Sequence, residues 1–147
     1  MTVITFGSLC KAVATTLKAA PAFAEGHVQA YDEITESIAE TPTLQIYMHD
    51  STTDDTGIHQ STFGAGVRIT QMHITIDCYA RQTSHVAEDL TAQIDIIDAV
   101  DQVLALQTEQ PFFGGAKALH WSWKKAILES ADAKYAGAEC TLTLWIF

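Results

Sequence analysis

The 147-residue chain carries 8 basic and 18 acidic residues, a formal charge of -10, with 48% hydrophobic and 18% charged residues. That balance is globular rather than disordered, and it fits one domain (residues 1–147) that buries about two-thirds of its unfolded surface without help from a metal or disulfide. The acidity argues against a general nucleic-acid binder, whose affinity comes from Lys and Arg on phosphates, and against a binder of anionic membrane faces.

Residues 6–20 read as a helix, because Leu9, Val13 and Leu17 recur every four residues and Pro21 stops the run. Lys11 and Lys18 interrupt the apolar stretch at this end, and no basic segment precedes it, so an export signal is not expected. A second helix is expected over 24–39, with Tyr31, Ile34 and Ile38 along one side and Thr41-Pro42 closing it. Residues 43–49 alternate Leu44, Ile46 and Met48 with more polar neighbours, the period of a strand. Residues 50–66, rich in Ser, Thr, Asp and Gly, form a long polar loop or a hairpin arm.

The clearest strand is 67–80. Thr70, Met72, Ile74, Ile76 and Cys78 point one way, and Gln71, His73, Thr75, Asp77 and Tyr79 the other. The second face is half polar, which suits either solvent or a subunit contact. Thr83-Ser84 caps a long helix over 84–106, whose apolar stripe is Val86, Leu90, Ile94, Ile97 and Leu104, joined by Val100 and Val103. After a turn at 110–115, strands are expected over 117–128 and 137–147, joined through 133–137 as an antiparallel hairpin. The fold class is therefore α+β: a four-stranded, mainly antiparallel sheet with helices packed on one face, in the order α-α-β-β-α-β-β.

Cys10, Cys78 and Cys140 are odd in number and far apart, which suits buried free thiols, and no transmembrane-length apolar run occurs. No nucleophile elbow, zinc-protease helix or phosphate-binding loop is present, so no catalytic residue and no cofactor is assigned and the chain is read as a non-enzyme. His49, Asp50, Asp54, Asp55 and His59 are ligand types for a metal, but their spacing matches no known loop, so no metal site is assigned either. His73 and Asp77 are four apart on one strand, roughly 13 Å, too far for direct contact within it. Trp121, Trp123, Lys124 and Lys125 have the composition of a base-stacking platform, although two Trp at this spacing more often belong to a core.

Charge is unevenly placed. No Lys or Arg lies between Lys18 and Arg68, nor between Arg81 and Lys117, while acidic residues populate both spans.

The order of elements carries a resemblance. A helical start leads to Thr41-Pro42-Thr43-Leu44-Gln45-Ile46-Tyr47, then a long polar loop, then Arg68-Ile69-Thr70 and a strand ending Ile76-Asp77-Cys78-Tyr79-Ala80-Arg81. A helix with Ile97-Asp98-Ala99-Val100 follows, and Tyr135-Ala136-Gly137 opens the last apolar strand. This resembles the tail terminator or tail-completion proteins of tailed bacteriophages and their relatives at the head–tail neck. The resemblance implies a virion subunit, assembled in the host cytoplasm, that forms a hexameric ring. Such a ring caps the tail tube, contacts the tube protein and the head–tail connector protein, and lets DNA pass without specific binding. It also implies that the loop containing Asp50, Asp54, Asp55 and His59 faces the lumen or a partner, and it makes Gln71, His73, Thr75, Asp77 and Tyr79 a candidate subunit contact. Two other readings stay open: another neck or minor structural adaptor, and a small metal-binding domain or enzyme centred on residues 49–59.

Overall fold

A computed structural model describes residues 5–23, 28–35, 38, 41–54, 69–106 and 117–146. Helix α1 spans Phe6–Lys18 and is followed by a 3-10 turn at Pro21–Phe23. Strand β1 is Val28–Ala30, β2 Thr43–Asp54 and β3 Ile69–Gln82. Helix α2 is Val86–Leu106, and β4 (Lys117–Ser130) and β5 (Ala133–Ile146) complete the order.

The start of α1 is fixed by a capping box. The Ser8 N–H donates to the Thr5 hydroxyl at 3.1 Å, and the Thr5 N–H donates to the Ser8 hydroxyl at 3.0 Å. Leu9, Val13 and Leu17 are buried, as their spacing requires. The second expected helix is not found in the described part of 24–39, where 28–30 are strand and 31–33 a turn. Val28 and Ala30 are buried instead in β1, which runs parallel to β2 with Val28 opposite Leu44 and Ala30 opposite Ile46. Tyr31 and Ile34, the expected inner face of that helix, are exposed. Strand pairing with a sheet already in place outweighs a weak helical period over so short a run.

Among the described residues the sheet is therefore five-stranded, not four-stranded, and mixed, in the order β1-β2-β3-β5-β4, with the β1–β2 pair parallel and the others antiparallel. Among the described residues α1 and α2 pack on the same face, as expected of helices here. Leu44, Ile46, Ile74, Ile76, Cys78, Cys140, Leu142 and Leu144 meet Leu9, Val13 and Leu17 of α1 and Ile96, Val100 and Leu104 of α2 in one core. The strands run past their expected ends. Strand β2 extends through Asp54, so the first part of the expected loop is paired strand opposite 69–73; residues 55–66 lie outside the described residues.

The β4–β5 hairpin turns at Ala131-Asp132, not over 133–137. Both residues have positive φ, 48° and 69°, in a two-residue turn between the paired Ser130 and Ala133. Such turns suit Asn and Gly, and a Cβ-bearing Ala gains nothing there to offset its strain. Ala131→Asn is expected to raise stability by about 0.5–1 kcal/mol in denaturant unfolding. An unchanged or lowered midpoint would contradict this.

Candidate assembly surfaces

The sheet face away from the helices is polar from edge to edge. One row across it reads Gln29, Gln45, Asp77, Glu139 and Lys124, each opposite the next in register. The Gln45 side-chain amide donates to Gln29 at 3.2 Å, and the Tyr47 hydroxyl donates to Asp77 Oδ2 at 2.8 Å. His73 Nδ1 and the Thr143 hydroxyl are 2.9 Å apart. The five sequence-predicted contact residues are all brought together here on β3. They are not equally accessible: Gln71 and His73 are half-buried, whereas Thr75 is 2%, Tyr79 6% and Asp77 9% exposed.

Asp77 is the strained member. Among the described residues its Oδ1 has no hydrogen-bond partner, and neither has the Thr75 hydroxyl. Burial pushes the Asp77 carboxyl above the usual carboxylate range; the Tyr47 hydroxyl opposes that shift and the neighbouring Glu139 charge adds to it. The folded-state value thus lies above the unfolded one. The ionised group costs stability in full above the folded value, and the cost vanishes below the unfolded one. Asp77→Asn is therefore expected to raise the melting temperature by a few degrees at neutral pH. The gain should shrink as pH falls through the carboxylate range, and a pH-independent difference would contradict the assignment.

Of the residues expected on a lumen-facing loop, Asp50 and Asp54 lie on β2, opposite His73 and Ile69. Asp55 and His59 lie outside the described residues. His49 is exposed at the bulge between Met48 and Asp50. Among the described residues no group of three or more His, Cys, Asp or Glu is gathered as a metal site.

Trp121 and Trp123 do not form an open platform. Both are half-buried on the helix-bearing face, and both indole N–H groups donate to Asp101 Oδ1 on α2, at 2.6 and 2.7 Å. The three cysteines are buried free thiols. Burial pushes Cys10 up to about 11 and, with the Asp101 charge adding, Cys140 up to about 12, so neither is a nucleophile near neutrality.

The surface that sequence reasoning missed is on α2. The helix buries Gln93, Ile96, Val100 and Leu104; of the expected stripe, Val100 and Leu104 are buried and Ile97 and Val103 half-buried, but its first half is not. Gln93 is buried because its amide donates to the backbone carbonyls of Gly137, at 2.9 Å, and Ala126, at 3.3 Å, tying helix to hairpin. Val86, Leu90 and Ile94 are turned outward, 75%, 39% and 57% exposed, and Ile127 of β4 is 58% exposed. Val86, Leu90 and Ile127 share the rim of a shallow groove of about 280 Å³ with Gln93 and Lys125. The signal was present in the sequence: Ile94, Ile96 and Ile97 wrap too far round a helix for one contact to cover them all.

This stripe adjoins an open sheet edge. Strand β4 is 14 residues long and has no partner on its outer side among the described residues. On the opposite edge β1 pairs only with Leu44–Ile46, leaving the outer side of β2 from Tyr47 to Asp54 without a strand among the described residues. Long uncovered edges are templates for pairing with another chain. No helix among the described residues is long and apolar enough to cross a membrane. No model of a known protein family matches the chain, and no curated protein matches it in sequence.

Proposed function

We propose that this chain is a structural subunit that assembles with copies of itself into a ring, and that the ring caps a phage tail tube and joins it to the head connector. The observation that carries the self-assembly is the exposed Val86–Leu90–Ile94 stripe lying beside the uncovered β4 edge. A domain whose core is otherwise closed gains nothing from leaving these side chains in water, and contiguous exposed apolar surface marks an interaction site. The place of the ring at a tail end rests on the resemblance in element order. It is supported by the charge map, since a passage for DNA works best when its wall repels phosphate. The long span from Lys18 to Arg68 without a basic residue suits such a wall. In this reading the 50–66 segment faces the lumen or a partner, and tube and connector proteins dock on the two rims. A ring structure with a basic lumen would remove the DNA-repelling part.

The test of the interface is direct. Leu90→Glu with Ile94→Glu is expected to weaken self-association about tenfold or more, read by sedimentation velocity, while the melting temperature stays near wild type. Wild-type association in this double variant would contradict the assignment of α2 to the contact.

A further inference from the structure

The two open edges of the sheet differ in charge and share exposed apolar side chains. We propose that the ring closes head to tail, with the β4 edge of each subunit paired against the β1–β2 edge of the next, an inference that rests on the ring reading above. Strand β4 carries Lys117, Lys124 and Lys125, three of only 8 basic residues in the chain. Lys124 and Lys125 are exposed, and neither has an ion pair among the described residues. The strands of the other edge lie wholly within the span lacking Lys and Arg, and β2 there carries Asp50 and Asp54; Asp32 and Glu33, just past β1, are already paired with Lys11 and Lys18 of α1 at 3.0 and 3.5 Å.

Like edges would repel. A β4–β4 contact would set Lys124 and Lys125 against their own copies, which disfavours a two-fold dimer through this strand. A β4 edge against an acidic edge instead places opposite charges across the joint and generates a heterologous contact that closes as a ring. The apolar groups match as well. Ile127 and the α2 stripe flank β4, while Met48 at 57% exposure, with Tyr31 and Ile34, flanks the acidic edge. The outer side of β2 from Tyr47 to Asp54 offers roughly 26 Å of unpaired strand. That is long enough for side-by-side strand pairing, the same mode by which extended segments add to sheet edges elsewhere.

The experiment uses two charge-reversed full-length chains, K124E with K125E and D50K with D54K. Each alone is expected to associate about tenfold or more weakly than wild type in sedimentation velocity. An equimolar mixture should recover assembly, because in alternating order every joint again pairs opposite charges. Native mass spectrometry should then find the two chains in equal number. The milder K124Q with K125Q should shift association in the same direction, and far-UV circular dichroism reports whether each variant is folded. If both reversed chains assemble like wild type, the edges are not the joint and the proposal fails while the ring reading stands. If only the β4 reversal weakens association and D50K with D54K has no effect, the joint is β4 against a different surface and the proposal fails. A wild-type chain that stays monomeric overturns the ring reading and this proposal together.

Discussion

Gly137→Ala is expected to destabilise the fold by about 3 kcal/mol or more. Gly137 is buried on β5 between Tyr79 of β3 and Ala126 of β4. A Cβ there would collide with the Cys78 backbone carbonyl oxygen and approach Leu128 Cδ1 to 3.1 Å. A side chain could rotate away from such a contact, but a strand carbonyl cannot without opening the β3–β5 ladder. The ladder is already irregular at this point, with a register shift between Tyr79 and Arg81. Moving β5 also disturbs the Gln93 bond to the Gly137 carbonyl, so the loss reaches α2. The expected readout is a melting temperature lower by about 10 °C. A shift within a degree or two would show that the strands yield more easily than the packing implies.

Asp101→Ala should be the second most damaging change, at about 2–4 kcal/mol. One carboxylate oxygen accepts from both indoles, so its removal leaves two N–H donors without their protein partner under a helix. Both Trp residues are only half-buried, so water can reach part of the site and holds the loss below that of a fully buried pair. Asp101→Asn keeps an acceptor oxygen but loses the charge, and should cost about 1 kcal/mol in urea unfolding. Equal losses for the two variants would mean that the carboxylate charge, rather than the presence of an acceptor, carries the contact.

The strongly patterned segments were legible from residues alone. Leu9, Val13 and Leu17 on α1 and Ile74, Ile76 and Cys78 on β3 sit where their periods place them, because one face of each is buried and the register has no alternative. The pattern failed where local period and long-range pairing disagreed. Residues 28–30 had a weak helical setting, yet a three-residue strand forms because Leu44–Ile46 of β2 is there to pair with it. Neither segment contains that information by itself. The rotation of α2 was hidden for a related reason. A helix with apolar side chains on more than one side is compatible with several buried faces, and a polar residue, Gln93, fixes the choice through two backbone carbonyls in a hairpin more than 30 residues away in sequence. Alternation puts Gln71, His73, Thr75, Asp77 and Tyr79 on one face of β3, but it cannot say how deeply a face is enclosed. Thr75 and Asp77 are nearly inaccessible, whereas the exposed apolar groups sit on the other side of the sheet.

Self-association through these surfaces is open to a direct test. Purified full-length wild-type protein, taken through a wide range of concentrations, should be examined by sedimentation velocity and then by electron microscopy of the largest species. A closed oligomer of fixed mass with a central opening is expected, and its formation should weaken as salt rises and screens the oppositely charged edges. A chain that remains monomeric at every concentration, or that associates only into open or irregular aggregates, would contradict it.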